Sequence, residues 1–135
     1  SRVFDTKTRS AFILGARLKH ESLKFLVFFS SIAGCFGNQG QSDYVASNEV
    51  VNKLAIYLNN SWPGRVVAIN WGPWEKIGMA DAALQRQFTE RGIIPISPSL
   101  GRKLMIDELF YGEPEQSLIV AGEGPWLKNK NFIRI

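Results

Sequence analysis

The chain has 135 residues, enough for one domain or part of one, and 45% of them are hydrophobic, which is typical of a packed globular protein. The single cysteine, Cys35, excludes an internal disulfide bond, and no apolar run is long enough to cross a bilayer. These features exclude a disulfide-stapled scaffold and a membrane span, and they lead us to expect a cytoplasmic protein.

The net charge of +4 is concentrated near the start of the chain. The first 24 residues hold six lysines and arginines against Asp5 and Glu21, and the rest of the chain is balanced. The two aromatic residues of this segment, Phe4 and Phe12, fit a helical apolar stripe better than a phosphate-binding face. We therefore expect a solvated helix face and no nucleic-acid partner.

The first half of the chain alternates between helix and strand patterns. Residues 3–18 show helical spacing of apolar positions, and the predicted stripe comprises Val3, Lys7, Ala11, Leu14 and Leu18. The run 25–29 is apolar throughout, as in a parallel strand covered on both faces. Three glycines within residues 30–43 predict a loop, after which helical spacing resumes over residues 44–60.

The second half continues the alternation. Residues 65–71 form a second predicted strand, and residues 80–90 a short helix. Ser97, a typical N-cap residue, and Pro98 predict the start of another helix, which runs to about residue 110. Residues 117–121 form a third predicted strand. The segment after this strand has the composition of a domain boundary or linker.

The order helix, strand, helix, strand, helix, helix, strand is typical of an α/β protein with a parallel sheet. The sequence contains no G-x-G-x-x-G turn, which in a dinucleotide-binding sheet follows the first strand. We therefore predict the C-terminal portion of a Rossmann-like, doubly wound parallel sheet, whose first half would lie upstream.

Polar side chains cluster where the first strand is expected to end. Ser31 follows this strand, and Tyr44 and Asn48 lie one helical turn apart near the start of the next helix. Ligands of such sheets bind at the carboxyl ends of the strands, so these side chains could converge there. Lys7 would need a partner within its apolar stripe, or would reach water instead. Taken singly, Ser31, Tyr44 and Asn48 are more often a turn, a packing and a solvated residue than functional residues.

Cys35 and His20 are interpreted as structural residues. No second thiol or imidazole lies at a spacing typical of a metal site or a nucleophilic triad.

The combination of FFSSIAG, GNQGQSDY and INWGPWEKIGM resembles the catalytic half of a ketoreductase domain from type I polyketide synthases and polyunsaturated fatty acid synthases, within the short-chain dehydrogenase/reductase family. The offsets agree: Lys7 precedes Ser31 by 24 positions (31 − 7), and Ser31 precedes Tyr44 by 13 (44 − 31). Stand-alone members usually have Y-x-x-x-K, whereas Asn48 with a lysine far upstream resembles the synthase type. The resemblance covers residues 3–126.

This resemblance implies reduction of a β-ketoacyl thioester to a β-hydroxyacyl thioester with NADPH as the hydride donor. Tyr44 would give its proton to the carbonyl oxygen, and Ser31 would form a hydrogen bond to the same oxygen. Lys7 and Asn48 would complete the network that stabilises the phenolate and relays the replacement proton.

The resemblance also assigns residues that contact ligands. Gly72, Pro73 and Trp74 would lie along the nicotinamide end of the cofactor, and residues 79–91 would form a mobile lid over the acyl chain. The residues expected to contact the substrate are Phe36, Gln41 and Met79.

We interpret residues 1–126 as the C-terminal catalytic part of a ketoreductase domain and residues 127–135 as a linker or domain boundary. The implied partners are a substrate bound to an acyl carrier protein, the other domains of a multidomain synthase, and the missing N-terminal half of the reductase, without which we expect no activity. Two alternatives stay open: a non-catalytic structural or docking segment of a megasynthase, and a stand-alone short-chain reductase.

Overall fold

Three parallel strands form the centre of the structure, a computed structural model that describes residues 2–19, 21–37, 40–75 and 82–128. The elements in chain order are α1 (Arg2–Leu18), β1 (Phe25–Ser31), α2 (Ile32–Phe36), α3 (Ser42–Asn59), β2 (Arg65–Trp71), α4 (Ala82–Glu90), α5 (Pro98–Tyr111), β3 (Leu118–Ala121) and a 3₁₀ turn (Pro125–Lys128). In the sheet the strand order is β1-β2-β3. The predicted α/β class with a parallel sheet is confirmed.

The register of the sheet brings the carboxyl ends of the strands to one edge. Ser31 at the end of β1 pairs with Trp71 at the end of β2, and Trp71 pairs with Ala121 at the end of β3. The segments that follow the strands therefore start side by side, which is where ligands bind in sheets of this type.

Alternate residues of β2 pack on opposite faces of the sheet, because successive side chains of a strand point in opposite directions. On one face Val66 and Ala68 join a core formed with α1 and α3. The α1 and α3 residues in this core are Ala11, Val51, Leu54, Ala55 and Leu58. On the other face Val67, Ile69 and Trp71 join Ile96, Ile119 and Ala121, against which Leu104 and Met105 of α5 pack.

The first strand is less covered than predicted. Phe28 of β1 is buried, but Phe25 and Phe29 are 45% and 53% exposed. The pairings among the described residues place β1 at the edge of the sheet, with β2 as its neighbour. The strand covered on both faces is β2, in which every residue after Arg65 is buried.

The predicted loop over residues 30–43 contains the short helix α2. Ser31, expected just after the strand, is its last residue and also caps α2, since its Oγ accepts a hydrogen bond from the Ala33 backbone N–H (3.2 Å). Gly37 ends this helix with a φ of 78°, a conformation that favours glycine. A five-residue helix is too short to show helical periodicity, which is why the pattern predicted a loop.

The buried stripe of α1 also differs from the prediction. Ala11 is buried as expected, but Leu14 is 44% exposed, and Thr8 and Gly15 are buried instead. A Cβ atom on Gly15 would lie 2.9 Å from Leu58 Cδ1, so the glycine allows α1 to approach α3 closely. Backbone contact at Gly15 therefore replaces the side-chain contact expected of Leu14.

The segment after Gly122, interpreted as a boundary or linker, takes part in packing. Trp126 is only 8% exposed. A Cβ atom on Gly124 would lie 2.3 Å from Cη2 of this tryptophan, so the indole lies directly against the glycine. The boundary at residue 126 stays a prediction, and residues 129–135 lie outside the described part of the chain.

A buried ion pair ties the start of β2 to α5. Arg65 and Glu108, with side chains 11% and 4% exposed, form a salt bridge. Arg65 Nη1 also donates to the Glu108 carbonyl (2.9 Å), and Nη2 to the Gln116 carbonyl just before β3 (3.0 Å). One guanidinium therefore holds together β2, α5 and the start of β3.

Replacement Glu108→Ala leaves the Arg65 charge buried without its carboxylate, so we expect it to lower the free energy of unfolding by about 3 kcal/mol. The measurement is urea unfolding of the full-length protein. The matched control on the same helix is Asp107→Ala, which removes the exposed pair between Lys103 and Asp107 (side chains 70% and 34% exposed) and should cost less than about 1 kcal/mol. Equal losses in the two variants would contradict the structural role of the buried pair.

Candidate active site

A cavity of about 1070 Å³ lies at the carboxyl ends of β1 and β2. Eight of the predicted site residues line it: Lys7, Ser31, Phe36, Gln41, Tyr44, Gly72, Pro73 and Trp74. Asn48 lies behind the cavity wall and is fully buried. Met79 lies outside the described residues. The structure thus brings together side chains that are up to 67 positions apart in the chain (74 − 7).

The Lys7 side chain turns toward the polar wall of this cavity. Its Nζ donates a hydrogen bond to Asn48 Oδ1, and the same nitrogen lies 5.7 Å from the centroid of the Tyr44 ring. A cation at this distance from an aromatic ring is attracted electrostatically. Lys7 therefore finds a buried partner, the first of the two outcomes that the sequence left open.

The orientation of the Asn48 carboxamide is fixed by three neighbours. Its Nδ2 donates to the Tyr44 carbonyl one turn earlier (2.8 Å), which leaves Oδ1 to accept from Lys7. Ser30 Oγ lies 3.3 Å from the Asn48 carbonyl and 3.4 Å from Oδ1, and it can donate to either oxygen. Only this orientation pairs the amide nitrogen with a carbonyl and the amide oxygen with an ammonium.

Burial lowers the pKa of Lys7 below its ordinary value, because removal from water disfavours the ammonium form. Two groups that the structure places near the ammonium, the Asn48 amide oxygen and the Tyr44 ring, carry no full negative charge. The site therefore holds a positive charge that gives up its proton more easily than that of an ordinary lysine.

Two positioning residues of this cluster, Ser30 and Gly34, were not assigned from the sequence. Ser30 is 6% exposed and lies on the same face of β1 as Phe28, so the period of two in a strand could have placed it toward α3. A Cβ atom on Gly34 would lie 2.8 Å from Asn48 Cβ and 3.1 Å from the Asn48 carbonyl carbon. Gly34 thus allows α2 to pack directly on the helix turn that carries Asn48.

Ser31 presents its hydroxyl at the edge of the cavity. The oxygen accepts the capping bond from the Ala33 N–H, and the hydroxyl hydrogen is still available for donation to a second acceptor. Because the cap restrains the side chain, Ser31 is positioned before any ligand arrives.

Aromatic rings form a second wall of the cavity. The ring centroids of Trp71 and Trp74 are 4.9 Å apart, and those of Phe29 and Trp71 are 5.5 Å apart. The Gly72 N–H donates to the Ala121 carbonyl (2.8 Å), and this hydrogen bond holds the first residue of the loop after β2 to the end of β3. These rings already pack on one another, and the surface that they present to the cavity is one on which a planar ring such as nicotinamide can stack, so the described residues suit that end of a dinucleotide.

The remaining cavity wall comes from α2, α4 and the C-terminal segment. Phe36 lies with its ring centroid 6.5 Å from that of Trp126, and Gln41 directly precedes α3. Gln87, Phe88 and Arg91 line the cavity as well. The predicted lid thus reaches the cavity through the end of α4, whereas its mobility stays a prediction and its first residues lie outside the described part.

Cys35 does not have the properties of a nucleophile. Burial, with a contribution from the Glu49 charge, raises the pKa of its thiol to about 11, so the thiol stays protonated near neutral pH.

Among the residues that the structure describes, no three side chains of His, Cys, Asp or Glu are grouped as in a metal site. His20 lies outside the described residues. No described helix combines the length and hydrophobicity needed to cross a membrane.

Comparison with known proteins agrees with the resemblance found in the sequence. The KR domain family matches residues 1–76 of the chain. A component of the polyunsaturated fatty acid synthase of Thraustochytrium sp. is 36% identical over 119 residues, which covers 88% of this chain and 4% of that protein.

Solved structures of ketoreductases share the fold. A ketoreductase domain from the bacillaene assembly line matches with a TM-score of 0.70 and 26% identity, covering 85% of this chain and 29% of that chain. A ketoreductase from the first module of phoslactomycin biosynthesis in Streptomyces sp. HK803 matches with a TM-score of 0.73 and 28% identity, covering 85% and 26%.

The chain therefore belongs to the KR domain family, the ketoreductase domains found in polyketide synthases and related fatty acid synthases. It spans 4% of the fatty acid synthase component and between a quarter and a third of the two solved ketoreductase chains.

The lowered pKa of Lys7 can be measured by NMR from the ¹³Cε shift of this residue as a function of pH. We expect the titration midpoint below 10.5, the ordinary value for lysine. At pH values below the lowered midpoint, Lys7 is charged in both the folded and the unfolded chain. Folding then bears the full cost of removing the ammonium from water. The stability contribution of Lys7 therefore rises with pH between the lowered midpoint and the ordinary one. A midpoint at or above the ordinary value would contradict the burial of this ammonium.

Proposed function

We propose that this chain supplies the catalytic residues for the NADPH-dependent reduction of a carrier-bound β-ketoacyl thioester to a β-hydroxyacyl thioester, in polyketide or fatty acid biosynthesis. The observation that carries the proposal is the position of the Lys7 ammonium, which is bonded to Asn48 and lies 5.7 Å from the centroid of the Tyr44 ring, at the wall of a large cavity. A phenol beside a half-buried positive charge is suited to proton donation.

Tyr44 is the proposed proton donor. It lines the cavity and is 37% exposed, so a ligand can reach it. The carbonyl oxygen of the substrate would accept the phenol proton, and the Lys7 charge would stabilise the phenolate that remains. Ser31, fixed by its capping bond, would donate a hydrogen bond to the same oxygen and stabilise the charge that develops there.

Lys7 would then return a proton to the phenolate, and the resulting amine, which is only half-buried, would regain its proton from water. The lowered pKa of Lys7 makes its ammonium a better proton donor toward the phenolate than an ordinary lysine. Asn48 would not exchange protons itself; its carboxamide, held by the Tyr44 carbonyl and by Ser30, would keep the lysine at the phenol.

NADPH, when bound, would supply the hydride to the carbonyl carbon. Gly72, Pro73 and Trp74 would hold its nicotinamide end, because the loop they form lines the cavity beside the aromatic faces. The sequence has no G-x-G-x-x-G turn, so we place the pyrophosphate site outside this chain. Phe36, Gln41 and Met79 are the proposed substrate contacts, and the first two line the same cavity.

The proposed partners are the carrier protein, other synthase domains and an N-terminal half of the reductase. The similarity to a small part of a much longer synthase supports the other synthase domains as partners. The exposed rings of Phe25 and Phe29 on the edge strand β1 support the third, because an open strand edge can pair with a further strand. We infer a cytoplasmic location for the whole assembly.

Replacement Tyr44→Phe removes the proton donor and keeps the ring, so we expect kcat to fall by about 10² to 10⁴. The measurement is NADPH consumption by the full-length protein with a ketoacyl thioester. The matched control is Tyr57→Phe on the same helix, where the ring is 69% exposed, and its rate should be unchanged.

A Tyr44→Phe variant that reduces the thioester at the original rate would overturn the proposed reaction. It would favour a non-catalytic segment of a megasynthase if assembly of the synthase were also unaffected.

A further inference from the structure

Gly101 is a buried glycine inside helix α5, a position at which glycine is less favourable than alanine. A Cβ atom at this position would lie 2.1 Å from Cη2 of Trp74, 2.3 Å from Cζ3 and 2.9 Å from Cζ2. All three are atoms of the six-membered ring of the indole. Because Gly101 has no side chain, the six-membered ring of Trp74 packs directly against the backbone of α5.

Trp74 is 37% exposed, but one side of its ring and its backbone are restrained. Its ring centroid lies 4.9 Å from that of Trp71, which is itself 5% exposed. The backbone on both sides of the indole is also fixed, since the Ile96 N–H donates to the Pro73 carbonyl (2.8 Å) and the Glu75 N–H donates to the Ile96 carbonyl (2.9 Å). The ring thus packs between Gly101 and Trp71 on a pinned loop, and an added methyl group would have to displace it.

We propose that Gly101 is a positioning residue for the cofactor pocket: the missing side chain of this glycine sets the orientation of the Trp74 indole in the wall of the cavity. Gly101 is absent from the residues that line the cavity, so its effect there would pass through Trp74. The part of this inference that concerns the cofactor rests on the proposed function, whereas the packing of Trp74 on Gly101 does not.

The packing is tested by circular dichroism of the full-length protein. Two indoles as close as Trp71 and Trp74 couple electronically and give a far-ultraviolet exciton couplet, which the variant Trp74→Phe identifies by its loss. We expect Gly101→Ala to weaken or abolish the same couplet. The control Gly15→Ala adds a methyl group to another helical glycine, where it meets the flexible end of Leu58, and should leave the couplet intact. An unchanged couplet in Gly101→Ala would overturn the proposal.

The consequence for the cofactor is tested by steady-state kinetics. We expect Gly101→Ala to raise the KM for NADPH roughly tenfold, with a smaller change in kcat, because losing a contact that is equally strong in the ground state and the transition state raises KM and leaves kcat nearly unchanged. A purely structural role would reduce the amount of active enzyme and lower the apparent kcat at constant KM, and that result would overturn the positioning role.

The double variant Gly101→Ala with Trp74→Phe provides the rescue test. Phenylalanine lacks the outer atoms that a Cβ would meet, so adding alanine to the Trp74→Phe background should have no further effect on KM. If Gly101→Ala alone does not fold, the double variant should fold, and its failure to do so would contradict the contact. The two proposals can fail independently. If the Tyr44→Phe variant keeps the original rate, the proposed function is wrong. The circular dichroism comparison still decides whether Gly101 positions Trp74.

Discussion

The hydrogen bond from the Lys7 ammonium to the Asn48 carboxamide is the constraint on which the polar half of the structure depends. An ammonium withdrawn from water is unfavourable unless it has a partner, and the partner must itself be held in place. The Tyr44 carbonyl and the Ser30 hydroxyl hold the carboxamide, and the bare backbone at Gly34 allows α2 to pack on it. One half-buried charge and its fully buried partner therefore link α1, β1, α2 and α3.

The sheet joins this polar cluster to an aromatic one. Ser31 ends β1 and pairs in register with Trp71 at the end of β2, so the polar wall and the aromatic wall of the cavity meet where the two strands end. The two walls are built by different means: charge and hydrogen bonds orient the first, while the second depends on ring packing against Trp71 and against the backbone of α5. A reductase needs both, because the proton donor and the hydride donor must meet at a single carbonyl group.

Much of this arrangement could be predicted from the sequence, but the contacts between distant elements could not. Helical spacing predicted α3, whose Val51, Leu54, Ala55 and Leu58 are all buried, and apolar runs located the strands. The place of Lys7 within an apolar stripe indicated that it needed a partner, whereas the identity of that partner and the roles of the residues came from the resemblance. The five-residue helix α2, the burial of Trp126 and the contact between Gly101 and Trp74 leave no local pattern, since they depend on which surfaces the fold brings together.

A double-mutant cycle on the kcat of the full-length protein tests most directly whether Lys7 and Asn48 act as one unit. The variants are Lys7→Met, Asn48→Ala and the combination of both. We expect the double variant to be about as slow as the slower single variant, because each replacement already disables the shared network. If the two losses in kcat simply multiply, Lys7 and Asn48 act independently, and the account of the site is wrong.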